Sequence, residues 1–98
     1  MKQNMKKVKF DTLIHAPNRL MICALLEPLA EMEFALLKKH LAVSDSVLSK
    51  HIKALSDADY LFLKKAARDG RQHTWLSLTT KGLDAYNAHV RALKEIVG

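Results

Sequence analysis

Residues 43–58 carry two opposite surfaces at the spacing of an α-helix. At about 100° per residue, apolar side chains fall on one side of this segment, namely Leu48, Ile52, Leu55 and Ala58. The opposite side holds short hydroxyls and lysines with no acid among them: Ser46, Ser49, Lys50 and Lys53. Ser44 is a favourable N-cap, and Asp45 stands in the first turn, where the helix dipole favours an acid. The pattern predicts a helix over 44–58 with a core-facing back and a cationic front.

The cationic front of this helix has two interpretations. Hydroxyls can bind phosphates or base edges, and lysines neutralise phosphate charge, but an ordinary solvated helix face has a similar composition. The whole chain holds 16 Lys and Arg against 10 Asp and Glu, a net charge of +6. This balance favours a phosphate-rich partner, either nucleic acid or an anionic surface, although charge of this size also serves solubility alone.

Length and composition predict a single domain, residues 1–98, with one modest core. Residues 1–9 hold four lysines and little to bury, so we expect a basic flexible tail. The lone Cys23 cannot form an internal disulfide, which favours a reduced, cytoplasmic setting. The longest apolar run, from Leu20 to Leu26, is too short to span a bilayer, and no signal peptide is visible. We expect no membrane partner.

Three helices are predicted before residue 44. Helical spacing of apolar residues predicts a short helix that begins near Lys9 and ends before Pro17. Pro17 then opens a second helix that runs from Asn18 to about Glu27. After a short connection or single β-bridge at 29–32, a third helix covers 33–40, with Phe34, Leu37 and Leu41 facing inward. A tight turn at 41–43 leads into the 44–58 helix, which completes a helix-turn-helix pattern.

A two-stranded hairpin is predicted after this pattern. Asp59 stands at the end of the predicted helix, where the backbone usually turns into the left-handed conformation. Glycine adopts this conformation best, but Asp is tolerated there. A strand-like run, 60–63, and an alternating run, 73–78, flank the Asp69-Gly70 turn signal, so the tip of the hairpin is 67–72. Four cations cluster here, with Asp69 as the only acid: Lys64, Lys65, Arg68 and Arg71. Such charges often serve only to prevent edge aggregation, but arginine also suits a narrow minor groove.

The last predicted helix begins after the N-cap Thr79 and runs to about Val97. Its apolar residues follow the 3-4 spacing of a coiled-coil seam: Leu83, Tyr86, Val90, Leu93 and Val97. This stripe either packs on the core of its own chain or pairs with a second subunit. We favour a homodimer, because so much apolar helix surface is hard to bury in one small domain.

The order of these elements resembles the small, single-domain winged helix-turn-helix regulators related to the MarR and ArsR families. The resemblance rests on Pro17-Asn18-Arg19-Leu20, on residues 43–55, on Arg68-Asp69-Gly70-Arg71 and on residues 74–82. It implies a mainly α fold with a small β-hairpin, made of a three-helix core, a two-stranded wing and N-terminal and C-terminal dimerisation helices. It also implies a homodimeric DNA-binding transcriptional regulator with double-stranded DNA as partner.

The resemblance assigns roles by position. The 44–58 helix would enter the major groove, and the 67–72 wing would lie at the minor groove. The implied DNA-binding residues are Ser44, Ser46, Val47, Ser49, Lys50, Lys53, Lys64, Lys65, Arg68 and Arg71. The expected dimer residues are Phe10, Leu13, Met21, Leu83, Tyr86, Val90, Leu93 and Val97. The cysteine-rich metal signature of ArsR-type sensors is absent, so we expect no metal site.

Nothing in the sequence points to catalysis. It has no Gly-rich phosphate loop, CxxC, HExxH or nucleophile elbow, so we expect no enzyme activity, catalytic residue or cofactor. The five histidines are dispersed, and we expect His51 to pack beside the core rather than bind metal. Whether a small-molecule effector binds is left open, because no residue in the sequence identifies a pocket for one. The alternative function is a winged-helix protein-interaction module that does not bind DNA.

Overall fold

The structure is a computed structural model that describes residues 10–98, so the predicted tail at 1–9 lies outside the described residues. The helices in chain order are α1 (Thr12–His15), α2 (Pro17–Leu26), α3 (Phe34–Leu41), α4 (Asp45–Asp57) and α5 (Thr80–Val97). The strands are β1 (Met32–Glu33), β2 (Leu61–Arg68) and β3 (Arg71–Leu78). The mainly helical winged fold expected from the sequence is confirmed, with corrections at three places.

The first correction concerns α1, which begins at Thr12 rather than near Lys9. Its N-cap is Asp11, whose carboxylate accepts the backbone N–H groups of Leu13 and Ile14 at 3.0 and 3.1 Å. These donors would otherwise have no partner in the first turn of a helix. The cap therefore sets the start of α1, whereas apolar spacing alone does not locate a helix end.

The helix-turn-helix unit follows the prediction closely. Ala42 adopts a left-handed conformation (φ 55°) that ends α3, and its backbone N–H donates to the Lys38 carbonyl oxygen. Ser44 then caps α4, because its hydroxyl accepts the Val47 N–H at 3.2 Å. At the far end of α4, Asp59 takes the left-handed conformation expected for it, with φ of 68°. The turn chemistry thus fixes both ends of α4.

The second and third corrections concern the sheet. The sequence predicts a two-stranded wing that starts at residue 60, but β2 starts at Leu61. Of the two alternatives left open for 29–32, a connection or a β-bridge, the pairing forms and extends to Glu33, so β1 adds a third strand in the antiparallel order β1-β3-β2. Met32 pairs with Leu76 and Glu33 with Trp75. At the wing tip, Asp69 and Gly70 both have positive φ, as in the two-residue turn that suits the twist of a hairpin. β2 is left as an edge strand.

One hydrophobic core lies between the helices and the sheet. Every helix except α5 places at least one fully buried aliphatic side chain in it, as does β3: Ile14, Ile22, Leu26, Leu37, Leu48, Leu55 and Leu76. The back of α4 therefore faces the core, as its periodicity predicts. On α2 the apolar surface is not fully covered within one chain, because Met21 is 47% exposed.

The terminal helix α5 turns a different face to the core than its apolar stripe suggests. Its buried residues are Gly82, His89 and Ala92, whereas the predicted stripe at 83, 86, 90 and 93 is only half-buried and Val97 is 80% exposed. Small side chains let a helix approach its neighbours closely. The larger apolar residues of α5 are left along the margin of that contact.

Candidate nucleic-acid interface

The front of α4 is exposed along its whole length. The residues expected to bind DNA on this helix all reach solvent: Ser44, Ser46, Val47, Ser49, Lys50 and Lys53. Ser44 and Ser46 place their hydroxyls 3.2 Å apart at the N-terminal end of the helix. The two lysines point away from the core and no neighbouring segment buries them. This face can therefore meet a large, flat or grooved partner.

Two acids modify the charge of this front. Lys53 Nζ lies 3.1 Å from Asp57 Oδ2, one helical turn further on, and Lys38 Nζ lies 2.8 Å from Asp45 Oδ1. The sequence analysis treats the front as free of acids and so misses Asp57, which the i,i+4 spacing would reveal. Among the residues that the structure describes, Lys50 has no carboxylate within ion-pair distance. Exposed pairs of this kind are weak, at about 0–1 kcal/mol, so Lys53 can change partner at little cost.

His51 lies behind this front and contacts the N-terminal helices. Arg19 Nε donates to the Leu13 carbonyl oxygen, and Arg19 Nη1 lies 3.2 Å from His51 Nδ1. Burial lowers the pKa of His51, and the positive charges of Arg19 and Lys50 lower it further. The imidazole is partly buried, in line with the packing role expected for it. Arg19 thus connects the carbonyl end of α1 to the back of α4.

The two lysines of β2 lie on opposite faces of the sheet. In an antiparallel sheet, successive residues alternate between faces, so Lys64 shares a face with Trp75, its partner in register, while Lys65 faces α4 with Thr74. Lys64 Nζ is held 3.2 Å from Glu31 Oε1. Sequence reasoning groups the two lysines together, but the pleat separates them.

The wing is less free of acids than its sequence indicates. Besides Asp69, the fold brings Glu31 to Lys64 and brings the Glu33 carboxylate into contact with the His73 ring. Glu33 belongs to β1 and Glu31 immediately precedes it, so this difference follows from the third strand. At the tip, Arg68 and Arg71 pair directly across the two strands, and the Arg68 guanidinium lies 5.6 Å from the centre of the Trp75 ring.

A groove of about 350 Å³ separates α4 from the wing. Its apolar floor includes Phe34, Ile52 and Leu63, and its rim includes Ser49, Lys53 and Lys65. The groove thus brings together two of the predicted DNA-binding lysines, one from the helix and one from the strand. Lys64 is not among the lining residues, because it lies on the far face of the sheet.

The described part of the chain offers no cluster of three or more His, Cys, Asp or Glu side chains that could hold a metal ion. Within residues 10–98, no helix has the length and apolar character that crossing a membrane requires.

Several known proteins resemble this chain. An uncharacterized protein from Methanocaldococcus jannaschii is 32% identical over 78 residues, which are 80% of this chain and 85% of that protein. Among solved structures, a transcriptional regulator homologue from Pyrococcus horikoshii superposes with a TM-score of 0.86, at 23% identity over 97% of this chain and 94% of its own. HlyU from Vibrio cholerae gives a TM-score of 0.63, at 20% identity over 82% and 83% of the two chains. At such identities, the two structures show a shared fold.

The family comparison covers most of the chain. A family model described as a winged helix DNA-binding domain matches residues 18–97. The match runs from α2 to the end of α5, so it contains both the helix-turn-helix unit and the wing. Such domains are DNA-binding modules rather than enzymes, in keeping with a sequence that carries no catalytic motif. The chain belongs to the winged helix DNA-binding domain family.

Proposed function

We propose that this protein is a transcriptional regulator that inserts α4 into the major groove of duplex DNA and lays the 67–72 wing along the adjacent minor groove. The observation that carries the proposal is the exposed front of α4, with its hydroxyls at the N-terminal end and its lysines further along. In helix-turn-helix proteins, the N-terminal residues of the second helix contact base edges. Ser44, Ser46, Val47 and Ser49 stand in that half of the helix.

The chemistry of α4 divides between specificity and affinity. Hydroxyl groups and the Val47 methyls suit base edges, which carry sequence information, whereas lysines bind phosphates of any sequence. Lys50 is ready to bind phosphate because no carboxylate of the described residues holds it. Lys53 first has to leave Asp57, but both side chains of that pair are well exposed, at 77% and 67%. Lys65, across the groove from Lys53, would add a phosphate contact from the wing.

The wing tip supports the same function through an unfavourable charge arrangement. Arg68 and Arg71 stand directly opposite each other, and like charges in this position destabilise a hairpin. A polyanion between or beside them relieves that repulsion. Arginine is also the residue that best fits the negative potential of a narrow minor groove. The contact between Arg68 and Trp75 orients one of these guanidinium groups before any ligand arrives.

We further propose a homodimer built on α5 and the N-terminal helices. Apolar residues left exposed or half-buried on these helices support it: Phe10, Leu13, Met21, Leu83, Tyr86, Val90, Leu93 and Val97. Exposed apolar surface of this kind marks an interaction site. A two-fold dimer would set two copies of α4 about 34 Å apart, one turn of DNA, and so favour a palindromic site.

DNA binding is tested by fluorescence anisotropy with duplexes selected from a random pool by the purified protein. We expect steep salt dependence, and we expect Lys50→Ala to weaken binding to every duplex and to lower the salt slope by about 1. Ser46→Ala or Ser49→Ala should instead change which duplexes are preferred. Lys94→Ala, on the last turn of α5, is the matched control. Absence of binding at micromolar protein in low salt would remove the proposal.

Sedimentation tests the dimer separately. We expect a species of about twice the 11.1 kDa chain mass, which Val97→Lys weakens without cost to folding, because this side chain is 80% exposed in the single chain. Glu95→Gln makes the same change in charge on an exposed position of α5 and should leave the dimer intact. A species of 11.1 kDa at every concentration would exclude the dimer.

A protein-interaction module is the second candidate. It is favoured by Phe62, which is 58% exposed on the edge strand β2, because exposed aromatic residues are typical of protein interfaces. The anisotropy experiment separates the two functions. Binding that follows Lys50 supports the regulator, whereas loss of all duplex binding in a folded protein supports the module.

A further inference from the structure

The fold brings two histidines into contact that lie 74 positions apart in the sequence. His15 Nδ1, at the end of α1, lies 3.0 Å from His89 Nε2 in the middle of α5. His89 is only 1% exposed, so its ring nitrogens depend on protein partners. The five histidines are dispersed along the sequence, so their spacing does not predict this pair. Two side chains that can each take up a proton therefore join α1 to α5.

The hydrogen bonds around His89 fix the position of each proton. The backbone N–H of Asp11 donates to His89 Nδ1 at 3.1 Å, so Nδ1 must be an unprotonated acceptor. A neutral imidazole then carries its proton on Nε2, which donates to His15 Nδ1. That nitrogen must also be unprotonated. The chain from Asp11 to His89 to His15 therefore forms only when both imidazoles are neutral.

The groups around the pair reinforce this requirement. Just before α1, Phe10 stacks on His15 with ring centres 4.7 Å apart and meets His89 edge-on at 5.2 Å. The Asp11 carboxylate, which would favour a charged histidine, is already occupied by two backbone N–H groups and by the Tyr60 hydroxyl. Burial lowers the pKa of His89, and His15 lowers it further, against the opposing effect of Asp11.

The remaining titratable groups on the neighbouring elements do not supply a counter-charge. On α2, Arg19 is positive and binds the Leu13 carbonyl oxygen, and burial followed by the charge of Asp11 raises the pKa of the Cys23 thiol to about 11. On the connection to β2, Tyr60 has its pKa raised to about 12, chiefly by its hydrogen bond to Asp11. Both groups are neutral at neutral pH. Within the described residues, the carboxylate that acts on His89 is that of Asp11, and three hydrogen bonds already occupy it.

We propose that the Asp11–His89–His15 chain is a proton-sensitive attachment that holds residues 10–16 against α5 at neutral pH and releases them in acid. Protonation of His89 puts a hydrogen on Nδ1, so two donors face each other where the Asp11 N–H now donates to that nitrogen. α1 is four residues long, too short to persist as a helix without its contacts. The release is therefore local, and the core around α4 stays folded.

The sign of the pH effect follows from linkage. His89 has a lowered pKa in the folded state, so its contribution to stability is present above the ordinary histidine value of about 6.5 and is lost as the pH falls below it. Because His89 must be neutral in the attached state, its protonation makes the attachment constant fall by up to about tenfold per pH unit.

Nuclear magnetic resonance of the full chain tests the attachment. We expect the His89 ring signals to report protonation below the ordinary range, and the amide protons of residues 11–14 to lose exchange protection over the same interval. The amides of Leu48 and Leu55 in α4 should stay protected, because the core does not open. Protonation of His89 in the ordinary range, unchanged protection at 11–14, or simultaneous exchange of the α4 amides would each overturn the proposal.

A variant pair tests the role of His15. His15→Asn keeps an acceptor oxygen near the position of Nδ1 for the His89 Nε2–H, whereas His15→Leu removes the acceptor. At neutral pH we expect the amides of residues 11–14 to keep their exchange protection in the first variant and to lose it in the second. His40→Leu, at an exposed histidine of α3, makes the same change elsewhere and should leave this protection unchanged. Full protection in His15→Leu would show that His15 has no part in the attachment. The titration of the unmodified chain decides the question even if a variant folds poorly.

Discussion

The carbonyl group of Tyr60 lies directly against the Cα of Gly82, where no side chain fits. A Cβ at Gly82 would overlap the carbonyl oxygen and lie 2.9 Å from the carbonyl carbon. The same oxygen accepts the Thr79 N–H at 3.0 Å, so the start of α5 is fixed on the connection between α4 and β2. Because α4 ends and the wing begins at this connection, the contact sets their positions relative to α5.

This contact predicts that Gly82→Ala is destabilising. Alanine normally stabilises a helix relative to glycine by about 1 kcal/mol, but the overlap with backbone atoms should cost about 1–3 kcal/mol or more. Urea unfolding of the unmodified chain and of Gly82→Ala measures the net change in stability from these two opposing effects. Ala88→Gly, at an exposed position of the same helix, is the control and should lose only about 1 kcal/mol of helix propensity. A Gly82→Ala protein as stable as the unmodified chain would mean that the connection can move aside.

The ion pair between Lys53 and Asp57 predicts that Asp57→Asn strengthens DNA binding. The change frees Lys53 and removes a negative charge from the face that would approach phosphate, so affinity should rise several-fold and the salt slope should increase by up to about 1. Anisotropy across a range of salt concentrations measures both. Asp84→Asn makes the same change at an exposed site on α5 and should have little effect. Weaker binding by a folded Asp57→Asn protein would contradict the orientation proposed for α4.

The paired arginines of the wing tip predict opposite effects on stability and on binding. Arg71→Ala removes one of two like charges that face each other, so the free energy of unfolding should rise by about 0.2–1 kcal/mol. The same change should weaken duplex binding and lower the salt slope by about 1. Thermal unfolding and anisotropy together test this prediction. Arg91→Ala, on an exposed site of α5, controls for net charge. A loss of stability in Arg71→Ala would show that its contacts outweigh the repulsion.

The hydrogen bond from Tyr60 to Asp11 predicts a loss of stability in alkali. It raises the pKa of Tyr60 to about 12, with burial and the Asp11 charge as further causes. Because the folded state holds this proton more tightly than the unfolded chain, the contribution is complete below pH of about 10 and is lost as the pH rises toward about 12. Denaturant midpoints across this interval should fall in the unmodified chain more than in Tyr60→Phe.

At neutral pH the Tyr60→Phe protein should itself be less stable, by about 1–2 kcal/mol, because the Asp11 carboxylate loses a donor. Tyr86→Phe is the matched control. Burial is the main cause of the raised pKa of Tyr86, so removing its hydroxyl should cost less. Equal losses in the two variants would mean that the hydrogen bond to Asp11 contributes little to the fold.

Sequence reasoning succeeded where the signal is local. The 3.6-residue period and the N-cap Ser44 located α4, and the Asp69-Gly70 turn located the wing tip, because each of these features depends on residues a few positions apart. The same holds for Thr79, whose hydroxyl accepts the Gly82 N–H at 2.9 Å as the N-cap of α5. Where a cap was overlooked, at Asp11, the predicted start of the helix was wrong.

Tertiary structure alone decided the contacts between distant segments. A two-residue strand has no periodicity to detect, so the sequence left 29–32 open between a connection and a single β-bridge, and the pairing of β1 with β3 and of Glu33 with His73 emerged only from the fold. The buried face of α5 carries Gly82, His89 and Ala92 rather than its most apolar stripe, and at its start Gly82 lies against the Tyr60 carbonyl group. His15 and His89 share a hydrogen bond because two helices pack side by side. The sequence determines each element through short-range patterns, whereas these pairings depend on the geometry of the assembled core, which no single segment encodes.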